Sequence, residues 1–369
     1  MFILPDAPNS VATSLRLSDS LFPSDTGVPS IRFCIFALLS HSAYNAHTTG
    51  TARMTGLLPT NTRSHEADRV SNSTLTADQI PHPYQVDKPY SLLEAQRYCE
   101  KLAKSHYENF LVAGIFCPKP LRQHFYNVYA YCRISDDLGD EIGDTQKSLV
   151  LLDWWEDELD AMYRGKPRHP AFVALEQTVH QFGIPADPFR DLLTAFRQDQ
   201  STPRYQTYAA VEAYCVNSAN PVGRLVLYLC GYSDPERLAL SDKTCTALQL
   251  ANFWQDVTRD TEKNRVYIPL EDLEKYGVTV EDLFARRFTP QFAELMKFEV
   301  ERTHALFAEG LGLCELVDRR VRLDIQMFNR GGVEVLRLIE KQGYDVLTNR
   351  PSVTKLRQML MLLGRLTAR

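Results

Sequence analysis

The chain of 369 residues carries 41 Lys and Arg against 46 Asp and Glu, a formal net charge of −5. This balance argues against a nucleic-acid binder that works through its overall field, and no stretch approaches the roughly 18 apolar residues that a membrane-spanning helix needs. With 44% hydrophobic residues, the composition predicts one large globular domain or two smaller ones. Eight cysteines without a C-x-x-C pair predict reduced thiols in a cytoplasmic protein.

The first 85 residues differ from the rest of the chain. Residues 1–80 contain 21 Ser or Thr and no lysine, and their apolar residues follow neither a helical nor a strand period. Two interpretations stay open for residues 1–85: a disordered tail, or a start codon placed too far upstream, with Met54 as the initiator. Either interpretation places the functional domain at residues 86–369.

From Ser91 onward the sequence shows long amphipathic helical patterns. Ser91 and Glu94 have the spacing of a capping box, which predicts a helix start at this point. The same periodicity predicts further helices over 147–163, 171–183, 187–198, 207–230, 234–258, 290–313, 319–341 and 352–366. Strand-like alternation is nearly absent, so the predicted fold class is an all-α, single-domain bundle.

The first of two acidic rows lies in the segment 129–140. On a helix of about 100° per residue, Tyr129, Arg133, Asp136 and Asp140 fall on one face. Carboxylates four residues apart are most often a solvated face. Here the flanking segment is apolar and aromatic, which predicts a buried helix in which unpaired carboxylates would be costly.

The second row lies in the segment 249–260. Gln249, Asn252, Asp256 and Asp260 are spaced by three, four and four residues and share an arc of about 80°. Two buried acidic rows facing each other predict Mg²⁺ ions that complete their shells with substrate phosphates. The predicted metal ligands are Asp136, Asp140, Asn252, Asp256 and Asp260.

Motifs for other chemistries do not occur in the sequence. We find no P-loop, no dinucleotide-binding glycine motif, no H-E-x-x-H and no G-x-S-x-G. The sequence therefore predicts no NADPH site.

The motifs together resemble the squalene/phytoene synthase family. The resemblance rests on the segments 129–140, 249–260 and 265–269 (Arg-Val-Tyr-Ile-Pro), and it extends over about residues 90–365. It implies an isoprenoid-synthase-type helical bundle with a central prenyl tunnel. It also implies that two prenyl diphosphates are joined head to head through a cyclopropyl intermediate, presqualene diphosphate for the C15 substrate, with two or three Mg²⁺ ions.

The resemblance assigns roles to individual side chains. The catalytic residues it implies are Asp136, Asp140, Asp256, Asp260, Tyr129, Tyr214 and Tyr267. The substrate-binding residues it implies are His106, Phe110, Arg133, Gln249, Asn252, Arg265 and Arg350. For the tyrosines, the arginines and His106, the alternative is a purely structural role in packing or ion pairing.

Within the family, residues 106–110 and 218–227 most resemble the hydroxysqualene synthases of the bacterial hopanoid pathway. The segment Tyr107-Glu-Asn-Phe110 stands where squalene- and dehydrosqualene-forming relatives typically have Ser-x-Ser-Phe, and Gln255 replaces an Arg common in carotenoid-forming ones. The favoured reaction is therefore ionisation of presqualene diphosphate and quenching by water. The alternatives are condensation of two farnesyl diphosphates, a phytoene-type product, or an inactive helical scaffold for other hopanoid enzymes.

This pathway sets the expected partners. We expect a presqualene diphosphate synthase to supply the substrate and a flavin reductase to consume the product. Peripheral contact with the inner membrane is also expected, and binding of nucleic acid is not.

Overall fold

The computed structural model describes residues 79–105 and 119–352. Within these ranges the chain forms α-helices joined by short loops, and its single β-bridge is isolated, between Arg204 and Val266. The helices are α1 (Leu92–Ser105), α2 (Lys119–Asp140), α3 (Thr145–Tyr163), α4 (Pro170–Phe182), α5 (Asp187–Asp199), α6 (Tyr208–Ser218), α7 (Asn220–Leu229), α8 (Pro235–Gln255), α9 (Val257–Glu262), α10 (Leu270–Tyr276), α11 (Val280–Phe284), α12 (Pro290–Gly310), α13 (Leu313–Leu316) and α14 (Arg319–Lys341). The all-α prediction is confirmed.

Most predicted helices appear close to their expected ends. The capping box is present: the Glu94 carboxylate accepts from the Ser91 backbone N–H at 2.9 Å and from its hydroxyl at 2.7 Å. The helix predicted over 207–230 is two helices, because a new helix starts at Asn220 after the break at Ala219, with Pro221 in its first turn. The prediction over 352–366 lies almost entirely outside the described residues.

The two helices that carry the acidic rows are central in the bundle. Helix α2 packs against α1, α4, α3 and α5, while α8 packs against α12, α7 and α14. Helix α2 is buried without interruption from Tyr126 to Gly139, as the apolar flanking sequence predicts. Both rows therefore lie inside the protein.

The described helices include none that is long and apolar enough to cross a bilayer. Contact with a membrane surface stays a prediction, as does the central prenyl tunnel.

The contact of α14 with α12 and α8 depends on a glycine. A Cβ atom at Gly332 would lie 2.2 Å from Cζ of Phe307 and 2.9 Å from Cδ2 of Leu248. We expect Gly332→Ala to lower the free energy of unfolding by about 1–3 kcal/mol, because the added methyl overpacks a filled core. Chemical denaturation measures the loss.

The adjacent Gly331 is the matched control, because a Cβ atom there meets nothing within 4 Å. We expect Gly331→Ala to be neutral or slightly stabilising, since Ala has the higher helix propensity. Equal losses from the two substitutions would contradict the packing explanation.

Candidate functional site

The first row lies at the carboxyl end of α2. Asp136 is 1% exposed, and its Oδ1 atom has no hydrogen-bond partner in the described part of the chain. Burial raises the pKa of Asp136 well above its ordinary range, and the Arg133 guanidinium, 3.6 Å from its Oδ2, opposes the shift. A carboxylate in this environment is stabilised by an added cation.

The second row spans a break in the helix. Helix α8 ends at Gln255, and Asp256 links it to α9. The backbone bonds nevertheless continue, from Asp256 N to Asn252 O at 3.0 Å and from Asp260 N to Asp256 O at 2.9 Å. Asn252, Asp256 and Asp260 are all buried, and the four-residue spacing that predicted one shared face survives the break.

Two basic residues that follow the second row in the chain lie close to Asp140 of the first row. Its Oδ1 lies 3.6 Å from a terminal nitrogen of Arg265, and its Oδ2 lies 3.9 Å from Nζ of Lys263. Both basic residues follow α9 in the chain. The structure thus brings Asp140 of the first row and Arg265 together.

Arg350 reaches the second row from the far end of the described chain. Its Nε donates to Asp256 Oδ1 at 2.5 Å, and a terminal nitrogen donates to Oδ2 at 3.3 Å. Gln255 donates from Nε2 to the carbonyl of Pro351 at 2.7 Å. Gln255 therefore helps to hold the loop that delivers the Arg350 guanidinium, and burial lowers the pKa of Arg350 to about 10.

An aromatic cluster lies beside the second row. Tyr267 stacks on Phe253 with ring centroids 3.9 Å apart and an interplanar angle of 2°. Tyr214 packs against both rings at 5.7 and 6.1 Å. A small pocket opens here, lined by Asp260 and Arg265 together with Tyr267 and Phe253. Two of the predicted tyrosines thus adjoin the acidic and basic groups of the site.

Sequence reasoning missed Asp199 at the end of α5. Its Oδ2 accepts a hydrogen bond from the Tyr214 hydroxyl at 3.0 Å, and burial raises its pKa to about 7. The sequence contains a signal for this residue. Asp199 lies at helical spacing from the apolar residues Leu192, Ala195 and Phe196, and therefore on the same buried helix face. An acidic residue on a buried helix face is a candidate for a site.

The remaining predicted residues divide into two groups. Tyr129 and Gln249 are buried on α2 and α8, and their roles stay predictions. His106 and Phe110 lie outside the described residues.

The predicted Mg²⁺ ligands fit the ion in chemistry without forming a preformed cage. Across residues 79–105 and 119–352, no group of three or more His, Cys, Asp or Glu side chains is close enough to hold one ion. Mg²⁺ commonly takes one or two carboxylates and fills its shell with water and substrate phosphates. The Oδ1 atom of Asp136, which has no hydrogen-bond partner in the described ranges, is a carboxylate oxygen of the kind that Mg²⁺ binds.

Comparisons of the sequence with known proteins point to one family. Residues 103–357 match the model of the squalene/phytoene synthase family. The chain is 29% identical to a 15-cis-phytoene synthase of Synechocystis over 300 residues (77% of this chain, 88% of the relative). It is 33% identical to a phytoene synthase of Thermus thermophilus over 264 residues (71% of this chain, 89% of the relative).

Solved structures give the same result. Squalene synthase HpnC from Alicyclobacillus acidocaldarius is 44% identical and superposes with a TM-score of 0.66, covering 70% of this chain and 97% of that one. A dehydrosqualene synthase solved with a ligand is 27% identical, with a TM-score of 0.67 and coverage of 75% and 96%.

Proposed function

Because the chain belongs to the squalene/phytoene synthase family, we propose that it ionises presqualene diphosphate and quenches the rearranged cation with water to give hydroxysqualene. The C–O bond to the diphosphate breaks, and the diphosphate leaves with the electron pair. Water then adds its oxygen to the rearranged cation and releases one proton. The products are hydroxysqualene, diphosphate and a proton.

The observation that carries the proposal is the set of arginines placed against the two acidic rows. Arg133 lies on α2 within 3.6 Å of Asp136, Arg265 lies 3.6 Å from Asp140, and Arg350 contacts Asp256. A site that alternates buried carboxylates with guanidinium groups can hold a diphosphate and its counter-ions together. Mg²⁺, when bound by the acidic residues, would neutralise charge that develops on the leaving diphosphate.

The chain's own side chains supply the remaining functions. The three guanidinium groups would hold the diphosphate as it departs, since preorganised donors are effective in a buried site. Tyr214 has its hydroxyl fixed by Asp199, and Tyr267 has its ring fixed by Phe253. Fixed aromatic rings beside the reacting carbons could stabilise a carbocation through their π faces.

The choice of presqualene diphosphate is supported by the 44% identity to a structure described as squalene synthase HpnC. The second candidate is condensation of two farnesyl or geranylgeranyl diphosphates, and the similarity to phytoene synthases supports it. The two reactions differ in substrate and in product.

Incubation of the purified chain with Mg²⁺ and each diphosphate separates the candidates. We expect presqualene diphosphate to yield hydroxysqualene without NADPH. Conversion of farnesyl diphosphate to presqualene diphosphate as the end product, or of geranylgeranyl diphosphate to phytoene, would refute the proposal in favour of condensation. No turnover of any of the three would favour a scaffold protein.

A further inference from the structure

We propose that Tyr84 is a positioning residue of the diphosphate site, acting through Asp137 on Arg133. The inference rests on the proposed function and extends it to a residue that precedes the family match at 103–357. Tyr84 also lies on the amino-terminal side of the predicted domain boundary at residue 85. The division at that residue stays a prediction.

The short segment that contains Tyr84 is held by hydrogen bonds between its own residues and packs on the helical bundle. The backbone N–H of Tyr84 donates to the Pro81 carbonyl at 2.8 Å, and Gln85 Nε2 donates to the Ile80 carbonyl at 2.8 Å. Tyr84 is 8% exposed and belongs to the main hydrophobic core, with Ile80 packed against it. The tyrosine is therefore held firmly enough to fix a partner.

The hydroxyl of Tyr84 reaches the first acidic row. It donates to Asp137 Oδ2 at 2.5 Å, across 53 residues of sequence, and both groups are buried. The other carboxylate oxygen of Asp137 contacts a terminal nitrogen of Arg133. Asp137 thus links Tyr84 to Arg133, because one of its oxygens accepts the tyrosine hydroxyl and the other forms an ion pair with the guanidinium without a hydrogen bond of its own in the described ranges.

Arg133 depends on this arrangement for its position. Its guanidinium lies among three carboxylates, with Glu141 at 2.7 Å and Asp136 at 3.6 Å in addition to Asp137. Its Nε is buried without a hydrogen-bond partner in the described ranges. If Asp137 loses the Tyr84 donor, one buried acceptor is left unsatisfied and the carboxylate can rotate. Arg133 would then lose the geometry in which it meets a diphosphate.

Tyr84→Phe tests this step, because it removes the hydroxyl and keeps the ring in the core. Full-length protein is titrated with inorganic diphosphate and Mg²⁺ by calorimetry, and turnover of presqualene diphosphate is measured in parallel. We expect the Kd for diphosphate and the KM to rise about tenfold, as for loss of a hydrogen bond to a charged group. We expect kcat to change less than KM, and Tm to stay within a few degrees.

The matched control is Tyr232→Phe. Tyr232 also donates to an aspartate, Asp318 Oδ2 at 3.0 Å, but it packs on a separate small cluster around Leu227 and Val321. We expect this variant to keep the wild-type Kd and KM. Wild-type values in Tyr84→Phe, or an equal loss in Tyr232→Phe, would overturn the inference.

A double-mutant cycle with Asp137→Asn tests the route through Asp137. If Tyr84 acts through this carboxylate, adding Tyr84→Phe to Asp137→Asn should raise the Kd for diphosphate no further. Independent, additive losses would overturn the inference while leaving the proposed function intact. Failure of the wild-type protein to bind diphosphate and to turn over any prenyl diphosphate would instead overturn the proposed function, and this inference with it.

Discussion

We expect Asp136→Asn to reduce turnover at least about 100-fold, which is the typical loss when one electrostatic contact to a leaving group is removed. The amide keeps the shape of the side chain but cannot supply the charge that balances Mg²⁺. Because burial raises the pKa of Asp136, the neutral amide removes an unfavourable buried charge. We therefore expect Tm to be unchanged or higher in the inactive variant.

The measurement pairs steady-state kinetics at saturating Mg²⁺ with thermal denaturation. Asp157→Asn on α3 is the control, because that carboxylate is exposed and the substitution changes the net charge equally. We expect it to retain wild-type turnover. Normal turnover in Asp136→Asn, or a loss of activity that merely follows unfolding, would show that the first row does not bind the metal.

The helices and both acidic rows could be predicted because their signals are local. Apolar residues recur every three to four positions, and a row of oxygen ligands on one helix face is visible from spacing alone. The break at Asp256 did not disturb this prediction, because the backbone bond from Asp260 N to Asp256 O restores helical register.

Contacts between distant residues could not be predicted in this way. Arg350 and Asp256 are separated by 94 residues, and Tyr84 and Asp137 by 53. Periodicity places each residue on a face of its own element, but it does not say which element that face meets. The resemblance to the family suggested Arg350 as a diphosphate contact and Asp256 as a metal ligand, whereas the contact between the two became visible only in the folded chain.

The break at Ala219 shows a different limit. Residues 207–230 were predicted as one helix, and the local signs of an interruption were Asn220, Pro221 and Gly223. Proline is tolerated in the first turn of a helix as well as at its breaks. The pattern therefore predicted the helical content correctly and the number of helices wrongly.

The ion pair between Arg350 and Asp256 allows a test that separates stability from catalysis, because the two residues can contribute to both. Asp256 is 1% exposed and Arg350 is largely buried. Removing one member of such a pair leaves the other charged group without its counter-ion in a low-dielectric environment. We expect Asp256→Asn and Arg350→Gln each to lower the free energy of unfolding by about 3–5 kcal/mol and to reduce turnover at least about 100-fold.

The double variant Asp256→Asn/Arg350→Gln distinguishes the two roles. With both charges removed, part of the lost stability should return, because neither Arg350 nor Asp256 is left as the unpaired member of their ion pair, whereas Arg259, 3.9 Å from Asp256, keeps its charge. Turnover should not return, since neither the predicted metal ligand nor the predicted diphosphate contact is present. Chemical denaturation and the presqualene diphosphate assay on all four proteins give the two readouts.

Arg224→Gln provides the matched control for the arginine. Arg224 also forms a two-point contact with an aspartate, Asp242, at 3.0 and 2.6 Å, but this half-buried pair links α7 to α8 away from the acidic rows. We expect a small loss of stability and normal turnover. If the double variant regained turnover together with stability, Arg350 and Asp256 would be a structural pair only. If the double variant regained neither stability nor turnover, the two residues would act independently. The contact between Arg350 and Asp256 would then contribute no coupling free energy.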